Sequence, residues 1–159
     1  MGATTIGTDG QGAVVQRLDA ARTAPRAAEL LGRADAELLA AQFSSEAWEQ
    51  FSHAHLAALR AGAAVIASRG RPAGRRALRT VWEILDAVAP ELATWSGYFA
   101  DAAPLRSAVD AGRFDAVTPA RAEQAVCAAE DFVDAARALV EASSTALPGA
   151  PRMLAVTAS

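Results

Sequence analysis

The sequence predicts an all-α bundle of three long helices joined by shorter ones, and three observations carry that expectation. Apolar residues return every three or four positions along three long stretches, the period of an amphipathic helix. No run of alternating β-branched residues is long enough to build a sheet. Capping residues, prolines and glycines fall between the periodic stretches, where helices start and stop.

Residues 1–24 contain four glycines, four threonines and no large apolar cluster, which predicts a disordered leader with at most a short helical turn from Val14 to Ala21. The first long helix is expected from Pro25 or Arg26 to about Phe43, since proline suits a first helical turn. Ala27, Leu30, Leu31, Ala34, Leu38 and Ala41 form its apolar line, and Glu29–Arg33 and Arg33–Glu37 are spaced for surface pairs. Ser45 is placed to cap a second helix, with Glu49 close to the capping-box position. That helix is expected to reach Ser68 on a stripe of Trp48, Phe51, His55, Leu59, Gly62 and Ile66. Ala58 and Gly62 would admit a close neighbour.

Gly70, Pro72 and Gly74 break this helix in turn. A third helix is expected over about Leu78–Ala89, and Pro90 begins a further turn through Trp95 and Phe99, with the two read as one kinked element. Pro104 opens a short helix that Gly112 ends. Thr118-Pro119, a capping hydroxyl followed by proline, starts the last long helix, which runs to about Ser143 on Ala122, Val126, Ala129, Val133, Ala136 and Val140. The expected organisation is therefore a helical domain over 25–143 and a flexible tail over 144–159. A chain of 159 residues is large enough for one such core without a metal or disulfide.

The formal net charge of -3 argues against a generally basic nucleic-acid binder. The distribution says more. No acidic residue lies between Glu49 and Glu83, while Arg60, Arg69, Arg71, Arg75, Arg76 and Arg79 do. Arg69, Arg71, Arg75, Arg76 and Arg79 surround the glycine and proline breakers, and arginines beside free backbone N–H groups suit an anion. They are the candidate phosphate- or nucleic-acid-binding residues, with an acidic partner protein or a plain solvated loop as the other readings.

His53 and His55, the only histidines, sit two apart on one helix and point about 200° away from each other, which excludes a shared metal in regular geometry. His55 falls on the apolar stripe and reads as packed; an acid–base role is left as the lesser option for either. Cys127 is the sole cysteine and reads as a small buried hydrophobe, so no intrachain disulfide forms and a cytoplasmic location is expected. Trp82 and Trp95 read as core. Neither a metal site nor a cofactor fingerprint is expected, and no apolar run is long enough for a membrane span.

Four stretches together resemble a small actinobacterial family of HEPN-domain proteins: HAHLAALRAGAAVIA at 53–67, RGRPAGRRALR at 69–79, VWEILDAVAPELATWSGYFA at 81–100 and VTPARAEQAVCAAEDFV at 117–133. The likeness covers about residues 26–142. The resemblance implies a HEPN-like bundle of antiparallel helix pairs, frequently homodimeric. It also implies a relation to metal-independent endoribonucleases and to partners of nucleotidyltransferases. The active ribonucleases carry an arginine, four to six residues, then a histidine. Here Glu46, Ala47, Trp48, Glu49 and Gln50 occupy the positions where that arginine would stand before His53 or His55. The expected function is thus a non-catalytic dimeric module that binds a partner protein, RNA or a nucleotide through the arginine-rich loop. The alternative is a divergent endoribonuclease using His53 or His55 with loop arginines.

Overall fold

The computed structural model describes residues 9–72 and 80–146. They form six α-helices: α1 (Asp9–Phe43), α2 (Ala47–Arg69), α3 (Val81–Val88), α4 (Ala93–Asp101), α5 (Ala103–Asp110) and α6 (Pro119–Thr145). Two 3-10 turns, Pro90–Leu92 and Phe114–Ala116, interrupt the chain between them. Among the described residues there is no strand, and the architecture is an all-α bundle.

α2 is the central element. Its buried residues include Phe51, Ala54, Ala57, Ala58, Ala61, Ala64, Val65 and Ile66, which lie on more than one side of the helix. The alanines do this work: with only a methyl group each, they let α1 and α6 approach from different directions. Glu37 of α1 meets His53, and the Arg33 carbonyl of α1 meets Arg60, so α1 and α2 run antiparallel. Asp35 meets Arg137 and Gln42 meets Glu130, so α1 and α6 are antiparallel as well. Gly62 faces Val81, Trp82 and Leu85 of α3 at close range. A methyl group added there would stand 3.2 Å from Val81 Cγ1.

The large side chains collect where α2, α3, α4 and α6 converge. Trp82 stacks on Phe99 at 5.4 Å between centroids, and Phe132 lies 6.0 Å from Phe99 and 6.1 Å from Trp82. Trp95 packs on Phe132 from the rim at 6.2 Å. Both tryptophans therefore pack with the core aromatics. Trp48 stacks instead on Phe114 at 4.2 Å, which holds the second 3-10 turn against the start of α2.

Several boundaries differ from expectation. α1 begins at Asp9, so residues 9–24 are helical where a disordered leader was expected. Good helix formers outweigh Gly10 and Gly12 there. Pro25 lies inside the helix, and Ala21, whose carbonyl loses its partner, is exposed to water. Residues 1–8 lie outside the described set. The cap of α2 is Glu46 rather than Ser45, and its side chain makes no capping bond. The Gln50 side chain closes that turn by donating to the Ser44 carbonyl at 2.8 Å. α3 has a full capping box made by Thr80 and Glu83. α3 and α4 are not one kinked helix, because Ala89 adopts a non-helical backbone before Pro90.

Thr118 caps α6 as expected, accepting from the Arg121 N–H, with Pro119 at the first position. Cys127 is exposed rather than buried. It stands two residues from both Ala125 and Ala129, which face the core, so the helical period turns it outward. The expected tail begins inside the end of α6, and residues 147–159 lie outside the described set.

Two glycine substitutions separate packing from propensity. Gly62→Val should lower unfolding stability by about 1–3 kcal/mol through overpacking against Val81. Gly97→Ala, where added atoms meet open space within α4, should raise it by up to about 1 kcal/mol. Urea denaturation of the two variants checks both signs.

Candidate functional site

The arginine-rich segment leaves the end of α2. Gly70 stops the helix with φ of 86°, in the left-handed region that suits glycine. Its N–H still donates to the Ile66 carbonyl at 2.8 Å. Arg69 donates to the Val88 carbonyl at 2.9 Å and pairs with Glu91 at 2.5 Å. Its guanidinium therefore ties the end of α2 to the corner between α3 and the first 3-10 turn. The hydrogen bond from Arg69 holds the Glu91 carboxyl below its ordinary pKa. Arg71 is exposed. Arg75, Arg76 and Arg79 lie outside the described residues. At the far end of the segment the Thr80 N–H donates to Glu83 at 2.9 Å, and the Glu83 N–H donates to the Thr80 hydroxyl at 3.2 Å. The described residues on either side, Arg69 and Thr80, are thus each held by hydrogen bonds.

A cleft of about 340 Å³ opens beside Arg69 and Gly70, between α1, the end of α2 and the end of α6. Thr23, Ser68, Ser143, Ser144 and Asp19 line it with Arg69. The hydroxyls of Thr23, Ser143 and Ser144 donate to carbonyls of their own helices. Their lone pairs, together with the Asp19 carboxylate, make the lining rich in acceptors. Such a surface suits a ligand group that brings N–H or O–H donors.

The two histidines do face apart. His53 Nδ1 lies 2.6 Å from Glu37 Oε2, and Arg60 pairs with the other oxygen of the same carboxylate at 2.8 Å. This trio links α1 to two turns of α2. It was not legible from Glu37 alone: of the two surface pairs expected for Arg33, the one with Glu29 forms, at 2.6 Å, while Glu37 turns to α2. One sequence signal points to the contact. Glu37 and His53 are equally distant from the short turn at 44–46, so an antiparallel helical hairpin places them opposite each other.

His55 is 5% exposed. Phe51, Trp82 and Phe99 surround it with centroids at 6.1, 6.0 and 5.8 Å. Burial lowers its pKa from 6.5 to about 4, with the nearby Arg106 charge adding to the shift and Asp110 opposing it. Its Nδ1 has no hydrogen-bond partner among the described residues, and neither does the buried Nη1 of Arg106. A neutral ring enclosed in this way is a core residue, not an accessible acid or base. Among the described residues no group of three or more His, Cys, Asp and Glu side chains is placed to hold a metal.

The chain matches the SAV_6107-like HEPN family over residues 41–137. The chain belongs to that family. No curated protein and no solved structure gives a significant match. The HEPN match begins at the end of α1 and includes α2, the arginine-rich segment and most of α6. Within it, neither histidine follows an arginine at the ribonuclease spacing, and Arg60 comes after His53.

The His55 shift has a definite sign. Its folded pKa lies below the unfolded value, so its contribution is present above pH 6.5 and is lost as pH falls toward 4. About 3 kcal/mol of stability should go across that window. Comparing urea midpoints of the wild type and His55→Phe at a series of pH values isolates the effect, because the variant should show a shallower acid loss.

Proposed function

We propose that the protein is a non-catalytic, cytoplasmic, homodimeric HEPN domain that binds a phosphate-bearing ligand of the nucleotide or RNA class through its arginine-rich segment. The observation that carries this reading is the anchoring of that segment. Arg69 fixes its start to Val88 and Glu91, and the Thr80–Glu83 box fixes its end. Arg60 and Arg69 spend their charge on Glu37 and Glu91, so the anion-binding role passes to Arg71, Arg75, Arg76 and Arg79, with Arg69 as the anchor. The adjoining acceptor-rich cleft suits the amino groups of a base, while the arginines meet the phosphates. An acidic partner protein would use the same charges but leave the cleft without a role.

Fluorescence anisotropy with labelled RNA and with nucleotides tests this reading. Binding should weaken as salt rises. Replacing Arg71, Arg75, Arg76 and Arg79 together by alanine should lower affinity at least about tenfold, while Arg69→Ala should act mainly on stability. Salt-independent binding, or none, would count against it.

A divergent endoribonuclease is the second reading, favoured by the His53–Glu37–Arg60 trio. A carboxylate accepting from Nδ1–H would leave Nε2 as a base. His55 is too enclosed for that role. RNA cleavage by the purified wild type that is abolished in His53→Ala and retained in His55→Phe would establish this reading. Equal cleavage by all three proteins, or none, would remove it.

A further inference from the structure

The outward side of α1 is apolar over almost its whole length. Val14, Leu18, Leu39 and Phe43 are 52%, 57%, 54% and 83% exposed. They account for most of the large exposed hydrophobic residues among those described, and all four fall on one line of one helix. Ala21, Pro25, Ala28, Gly32 and Ala36 complete the line, and every one of them is exposed. The spacing of three or four continues without a charged residue from 14 to 43. Core residues Ala27, Leu31, Ala34 and Ala41 occupy the opposite side of the helix, so this stripe belongs to no intramolecular face among the described residues.

The spacing along the stripe is nearly palindromic: eight of its nine positions pair about one centre, and the ninth, Ala28, falls opposite Glu29. About a centre at the Ala28–Glu29 peptide bond, Val14 is the counterpart of Phe43, Leu18 of Leu39, Ala21 of Ala36, and Pro25 of Gly32. An interface between two identical surfaces related by a two-fold axis requires this self-complementarity. Antiparallel pairing sets the largest side chain, Phe43, against Val14 and sets Pro25 against Gly32. A parallel pairing would oppose Phe43 to Phe43 and Gly32 to Gly32, alternately overfilled and empty. The small residues near the middle permit close approach, and the seam is about 45 Å long.

We infer that the outer face of α1 is the dimer interface of this protein, with a second copy of the chain packed antiparallel across the Ala28–Glu29 centre. This rests on the dimeric part of the proposed function and names the surface that part leaves open. The N-terminal end of α1, with Val14 and Leu18, then lies against the Leu39–Phe43 end of the other copy. That gives Val14 and Leu18, which are otherwise exposed, a packing partner.

Sedimentation and cysteine cross-linking of the full chain test the interface. The wild type should sediment at twice the chain mass, and Leu39→Glu/Phe43→Glu should sediment as a monomer with unchanged helical circular dichroism. Orientation is read in a Cys127→Ser background with a short bis-maleimide. A mixture of Leu18→Cys and Leu39→Cys chains should cross-link, whereas Leu18→Cys alone should not, because its two copies would stand about 30 Å apart. A dimer that survives the glutamate pair, or Leu18→Cys chains that cross-link to themselves, would overturn this interface and leave the dimeric reading standing. A monomeric wild type, whether the stripe is covered by the chain's own ends or by nothing, would overturn both.

Discussion

The fold depends on how closely helices approach α2. Its buried alanines present methyl groups on several sides, and its glycine presents none, so α1, α6 and α3 all reach its backbone closely. Dispersion falls steeply with distance, and a small residue is the means of bringing two helix backbones within range. The arrangement has a consequence for stability. Each alanine buries little apolar area, so the few large side chains carry a disproportionate share of the hydrophobic term. Phe51, Phe99 and Phe132 are almost fully enclosed, and Trp82 nearly so. His55 stands among them, and its Nδ1 has no hydrogen-bond partner among the described residues, a cost that protonation of the ring would raise further.

That central packing also positions the polar features. Because α1 and α2 form a tight hairpin, Glu37 is carried to His53 and Arg60 and pairs with both. Because α2 ends where α3 turns into its 3-10 segment, Arg69 reaches Val88 and Glu91. A run of like charge in the sequence thus divides into two kinds. Arg60 and Arg69 are bound into the scaffold by carboxylates remote in sequence. Arg71, Arg75, Arg76 and Arg79 follow Arg69 in the sequence and have no such partner assigned to them. The proposed cleft and the proposed dimer face use different sides of α1: the cleft lies between Asp19–Ala24 and the ends of α2 and α6, the dimer face along the outward stripe.

The sequence by itself determined the helical class, the closing helix with its Thr118-Pro119 start, the burial of His55 and the divergence of the two histidines, because each follows from local period and capping chemistry. The HEPN resemblance was legible for the same reason: it lies in the ordering of local segments, and the match over 41–137 bears it out. Tertiary structure decided the rest. Helicity of residues 9–24 was missed because the early glycines and the lack of a large apolar cluster read as a leader and Pro25 as a helix start, whereas the helix runs on through Pro25, which is exposed. The Glu37 trio and the Arg69 anchor join residues sixteen or more positions apart, and only the meeting of helices selects those partners over the nearer Arg33. Periodicity fixes which side of a helix is apolar; which of several apolar sides faces the core, and which is left outward as on α1, is fixed by the neighbours that pack against it.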